Sequence, residues 1–237
     1  MRLLLLVVVL ALAAPAVTAQ ITPPPKLRAL GIPVTIQTGS AEIGGRTASG
    51  VTTPGLGFTF VGLSENARSS TYVVVDATGG VTGIVVCSVI SCSGLADEQD
   101  GDDWFFYDGV ILRGDFGGVL TTPVGGVGGG LHLSFSATEN PVEDFGWIDY
   151  GVQGAYAAGV GPIALVATGT YAWGYEGESQ ANSGRTVKVR ADAVLPREGI
   201  DLVGFVAVDR RSDTRGTEAE ADDYAATTLT FGVGIGF

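Results

Sequence analysis

Leu131-His132-Leu133-Ser134 sets the only histidine of the chain two residues from a hydroxyl. Residues two apart share a face of an extended chain, the arrangement in which an imidazole can take a proton from a serine Oγ. A second polar group is ionic: Lys188, Arg190 and Asp192, again at spacing two, with Asp149, Gln153, Arg113 and Asp115 as companions. Charges of both signs on one face either brace one another, because isolated buried charge is costly, or form a ring that selects a small solute. Bracing is the favoured expectation. The run Asp97-Glu98-Gln99-Asp100-Gly101-Asp102-Asp103 gathers oxygen ligands of the kind Ca²⁺ takes. It lacks the ordered spacing of a calcium loop, so a solvated acidic loop is expected, with divalent cations as candidate partners. Cys87 and Cys92, the only cysteines, are too few for a four-ligand metal site. A local disulfide around Ser88–Ser91 and two buried thiols remain alternatives. No cofactor is implied, and no catalytic residue is expected.

The elements that carry these residues alternate with period two. In 163–175, Ile163, Leu165, Ala167, Gly169, Tyr171, Trp173 and Tyr175 face one way, with Ala164, Val166, Thr168, Thr170, Ala172 and Gly174 between them. In 186–194, Val187, Val189, Ala191 and Ala193 oppose Thr186, Lys188, Arg190 and Asp192. At the end of the chain Leu229, Phe231, Val233, Ile235 and Phe237 oppose Thr228, Thr230, Gly232, Gly234 and Gly236. Such alternation specifies strands with one apolar face and excludes helices there. Thirty-seven glycines among 237 residues agree, since glycine disfavours helices and suits tight turns. Seven strands are predicted near 104–116, 126–137, 146–158, 162–175, 185–195, 200–210 and 226–237. Upstream candidates are 34–44, 55–63, 69–76 and 80–90. A barrel with both termini at one end needs an even number, so the weakest, 34–44, is set aside and 10 strands are expected, with 8 or 12 as alternatives.

The connections choose between a soluble sandwich and a membrane barrel. Long polar stretches (91–103, 138–145, 176–184, 211–223) alternate along the chain with short Gly/Pro turns (117–126, 159–162, 196–199). In an up-and-down meander every long connection then falls at one rim and every short turn at the other, as in outer-membrane barrels. Trp104, Trp147, Trp173, Tyr150, Tyr171 and Tyr175 collect at the long-connection ends, and Phe116 and Phe237 mark the opposite rim. Aromatic girdles of this kind lie at headgroup level. The reading is an all-β, closed antiparallel up-and-down transmembrane β-barrel.

The first residues set the compartment. Arg2 precedes an apolar run, Leu3 to Ala14, that is too short for a helical span of about 20 residues. Pro15 breaks it, and Val17-Thr18-Ala19 supplies small residues before a cut at Gln20, so 1–19 is expected to be a secretory signal peptide. Residues 20–33, with Pro23, Pro24 and Pro25, are expected to be a flexible periplasmic lead, and 34–237 the barrel. After the cut, 12 basic side chains remain against 25 acidic ones, which excludes nucleic acid as a partner.

With the leader and this pattern in hand, the tail LTFGVGIGF resembles the C-terminal signal of Gram-negative outer-membrane β-barrel proteins, which the barrel assembly machinery recognises. By that resemblance Phe231, Val233, Ile235 and Phe237 would serve assembly, the location would be the cell outer membrane, and its lipids would be partners. His132 and Ser134 resemble the His-x-Ser pair of outer-membrane phospholipases and lipid A deacylases. Phe135 stands where those enzymes carry Asn, however, and Leu131, Leu133 and Phe135 claim the lipid face. His132 and Ser134 are therefore expected in the lumen, away from acyl chains. The leading expectation is a structural or narrow-pore barrel passing or binding small solutes. A lipid hydrolase using Ser134 and His132, and a surface recognition barrel acting through its acidic loops, are the alternatives.

Overall fold

A computed structural model describes residues 21–43, 46–51, 55–64, 69–79, 110–140, 143–176, 183–215 and 222–237. Its regular elements are all strands: β1 (Ile21–Thr22), β2 (Leu27–Ile43), β3 (Arg46–Val51), β4 (Gly55–Leu63), β5 (Ser69–Gly79), β6 (Val110–Thr122), β7 (Gly125–Asn140), β8 (Glu143–Val160), β9 (Ile163–Glu176), β10 (Ser183–Leu195), β11 (Asp201–Arg215) and β12 (Asp222–Gly236). From β4 to β12 each strand pairs antiparallel with the next, and β2 joins β12 to β4. The ring is closed. It is the ten-strand up-and-down barrel that the alternation implies, with β3 extending the β2 pairing beyond β4.

The ten strands are not the ten expected. Of the segment 34–44, set aside as weakest, residues 34–43 lie within β2 and pair with β12. The candidate 80–90 lies outside the described residues, as do the leader 1–19, Cys87, Cys92, the acidic run 97–103 and Trp104. The strand also starts earlier than expected, at Leu27, although Pro33 interrupts it. Proline has no N–H to give to a ladder, and the β2–β4 pairing skips Ile32 and Pro33 while Pro33 keeps its place opposite Gly234 of β12.

The lead is not free either. Ile21 and Thr22 pair with Val160 and Gly159 at the end of β8, whereas Leu27 begins β2, which lies opposite β8 in the ring. The four residues between Thr22 and Leu27 give a reach of at most about 18 Å. Half the rim measures roughly 24 Å at about 4.8 Å per strand. The three prolines therefore cross the mouth of the barrel at its short-turn end. Pro24 is buried there, close enough to β7 that a Cβ on Gly126 would lie 3.3 Å from its ring.

The strands run past the point where apolar alternation stops. The stretch 138–145, expected as a long loop, is mostly ladder, with Thr138 to Asn140 paired to Phe145 to Glu143. Within 211–223, β11 continues to Arg215 and β12 starts at Asp222. Residues 117–126 are likewise strand on both sides of Pro123-Val124. Backbone pairing needs no apolar side chain, so polar sequence misplaced these boundaries. At the next turn Gly161 takes φ 58°, which glycine tolerates and a β-branched residue does not.

Alternate residues face the lumen and are buried, while the others form exposed apolar rows: Leu30, Ile32, Val34 and Ile36 on β2, Leu131, Leu133 and Phe135 on β7, Val187 and Val189 on β10. At the short-turn end the lumen is filled by an apolar cluster that includes Leu27, Val61, Leu63, Tyr72, Val74 and Val119. Trp147 corrects the expected girdle. Its ring is 1% exposed and faces inward, in phase with Asp149, whereas Tyr150, Tyr171 and Trp173 lie on the outer wall.

Candidate functional site in the barrel lumen

Above the apolar cluster, toward the long-connection rim, the inward face turns ionic. Arg113, Asp115, His132, Asp149, Gln153, Lys188, Arg190 and Asp192 are all buried in the lumen. Cross-strand register assembles the first part: Asp115 of β6 stands opposite His132 of β7, and Ser134 of β7 opposite Asp149 of β8. Arg113 donates from Nε to Asp115 at 2.6 Å and reaches Thr168 of β9 at 3.3 Å. The other oxygen of Asp115 lies 2.5 Å from His132 Nδ1, and His132 Nε2 lies 2.8 Å from Asp149. Both ring nitrogens thus face carboxylate oxygens. Lys188 of β10 closes the chain, 3.0 Å from Asp149.

The second part spans the barrel. Arg190 of β10 grips Asp192 through Nε and Nη2 at 2.6 to 2.9 Å. Its Nη1 reaches across the lumen to Asp76 at 2.6 and 3.0 Å, and β5, which carries Asp76, lies opposite β10 in the ring. The guanidinium also sits 4.0 Å over the Phe205 ring. Planar, forked donors suit a cation that must hold two carboxylates at once. Phe205 in turn fills the space beside Gly232, where a Cβ would collide with its ring.

Gln153 belongs to a separate layer. It donates to Tyr72 Oη at 2.8 Å and to the Leu131 carbonyl at 3.1 Å, and accepts from Thr170 at 3.2 Å.

On the long-connection side of the ions lies a cavity of about 70 Å³, room for about five waters. Its walls include Thr186, Lys188, Thr228 and Tyr224, with Trp147 and Arg211 toward the rim. Arg211 lies 4.4 Å from the Trp147 ring and 4.6 Å from the Tyr224 ring, with Asp213 at 3.5 Å from its Nε. Trp147 can lie against β9 because position 174 is glycine; a Cβ there would strike the indole.

His132 and Ser134 share a face, as the spacing requires, yet they do not meet as base and nucleophile. Ser134 Oγ donates to Asp149 at 2.8 Å and accepts from Lys188 Nζ at 2.8 Å, while both nitrogens of His132 are engaged by carboxylates. The geometry holds charge in place and leaves no direct path for a proton between them. Among the described residues no three His, Cys, Asp or Glu side chains are arranged to hold a metal ion.

Sequence reasoning missed Asp76, Trp147, Arg211 and Asp213 as parts of this interior. Asp76 continues the phase of Ser70, Tyr72 and Val74 and was legible from it. Arg211 and Asp213 continue the phase of Phe205, Ala207 and Asp209, but polar neighbours disguised them as loop.

The proposed assembly residues lie on the closing seam. Phe231, Val233 and Ile235 stand opposite Ile36, Val34 and Ile32 of β2. Phe237 donates its N–H to the Leu30 carbonyl at 2.9 Å and accepts from the Leu30 N–H at 3.3 Å. Compared with known proteins, the sequence matches no family model, and no curated protein matches it.

Proposed function

We propose that this chain is an outer-membrane barrel that closes its own lumen, serving as a braced structural wall with a small blind vestibule for polar solutes. The observation that carries this reading is the layering of the interior. An apolar cluster and a proline strut occupy the short-turn end, ion pairs cross the middle, and the cavity lies beyond them toward the other rim. A conducting path would have to breach a mainly apolar layer that offers few polar groups to replace an ion's hydration. Lipid exposure accounts for the outer wall: Val187 to Leu195 on β10 presents an apolar row about 20 Å tall when tilted, close to the apolar band of such barrels. Water gives no reason for such rows.

Refolded into planar bilayers, the protein should show no steady single-channel conductance. Regular channels from the unmodified chain would overturn the closed reading. Replacing Leu63, Val74 and Val119 together with glycine should open measurable current.

The same reading assigns the last strand to assembly. Deleting Phe237 removes two seam hydrogen bonds at a ring that is 65% exposed. Its effect on refolded stability should therefore be modest, about 1–2 kcal/mol, while outer-membrane yield in cells should fall severalfold. Wild-type yield after the deletion would remove Phe237 from any assembly signal.

A further inference from the structure

Two arginines on the outer wall are not used by anything described above. Arg185 of β10 stands opposite Trp173 of β9 and Ser212 of β11. Arg210 of β11 stands opposite Val187 of β10, which makes the two arginines diagonal neighbours on one face. Both are exposed, and neither forms an ion pair among the described residues. Asp209, next to Arg210 in sequence, and Asp213, opposite Gly184, belong to the opposite, lumen-facing phase. Asp223, an exposed carboxylate on the outward phase of β12, lies opposite Thr214, farther toward the rim. In a chain of formal charge −12, these two neighbouring cations thus have no carboxylate directly or diagonally across from them on the outer face among the described residues, and like charges so placed repel.

Their height on the wall is informative. Immediately below them run Val187, Val189 and Val208, all exposed. Beside them Tyr171 and Trp173 meet edge to face at 5.1 Å, the amphipathic rings expected at a membrane interface. The apolar row ends and the arginine pair begins within one residue step on both strands.

We infer that Arg185 and Arg210 form a seat for the phosphate of a lipid headgroup, with the lipid's acyl chain lying along Val187, Val189 and Val208. A phosphate accepts forked guanidinium bonds from two sides. It also supplies the missing anion at the level where headgroups lie. The proposal rests on the membrane reading above.

The test refolds the full chain into vesicles of dioleoyl phosphatidylcholine containing a minority of dioleoyl phosphatidic acid, and counts lipids retained after detergent extraction by native mass spectrometry. Each interfacial arginine contributes about fivefold to anionic-lipid binding. The unmodified barrel should therefore retain the phosphatidic acid more than tenfold over its share. Arg185→Gln and Arg210→Gln should each lose about fivefold, and the double variant should show no preference. Arg28→Gln, an exposed arginine near the other rim, should leave retention unchanged. Excess inorganic phosphate should not displace the lipid; displacement would overturn a lipid seat in favour of a free-anion site. An inserted, protease-protected barrel whose double variant keeps the preference would overturn this proposal and leave the membrane reading standing. Failure of the chain to insert at all would overturn both.

Discussion

Replacing Arg190 with leucine should cost the barrel about 3–5 kcal/mol, the usual penalty when one partner of a buried ion pair is removed. The guanidinium is 2% exposed and holds two carboxylates, Asp76 and Asp192, which are each 3% exposed. Without it, two buried carboxylates of like charge remain, on opposite walls, and neither has a described alternative of comparable geometry. Urea unfolding of protein refolded into detergent measures the loss directly. Adding Asp76→Asn and Asp192→Asn to the Arg190→Leu variant should restore much of the stability, since neutral groups lower the cost of leaving the site without a cation. Arg190→Lys should fall between, because an ammonium keeps the charge and loses the fork. A loss under about 1 kcal/mol for Arg190→Leu would mean that water, not the ion pair, fills this part of the lumen.

Trp147→Ala should have an effect of similar size for a different reason. The indole is buried, over Gly174 and against Arg211, with one side on the vestibule. Removing a buried ring of this kind costs about 3–5 kcal/mol in lost transfer energy and residual cavity. It should also enlarge the vestibule and release Arg211 from one of its two aromatic faces. Trp147→Phe keeps a ring and should cost roughly half as much. Hydrogen exchange at Thr186 and Ser136, which line the same cavity, should accelerate in the alanine variant. If the variant unfolds at the wild-type urea concentration, the ring does not wall the vestibule.

Much of this interior was legible because period two assigns faces without knowing the fold. Val187 and Val189 fix the outward phase of β10, so Lys188, Arg190 and Asp192 must face in. The same logic places His132 between Leu131 and Leu133. It worked least well where a residue type carries two meanings. Trp147 lies at girdle height and was assigned by height, although its phase with Asp149 requires the lumen. Pro33 argued against a strand, yet a barrel strand bonded firmly to β12 on one side tolerates two unpaired positions on the other. What period two cannot supply is which residues meet across the lumen. Arg190 and Asp76 are 114 positions apart in the chain, and only the closure of ten strands sets them face to face.

The proline strut has a mechanical consequence. A ring squeezed along one diameter must lengthen along another, and a tie across the lengthening diameter resists the squeeze. The strut joins β8 to β2 at the mouth, and the Arg190–Asp76 bridge joins β10 to β5 at mid-height. The two ties cross the ring along different diameters, so flattening in either direction stretches one of them. In the membrane setting proposed above, lateral pressure from lipid would then leave the cross-section nearly circular. A vestibule of only about 70 Å³ keeps its volume only in a wall that does not ovalise.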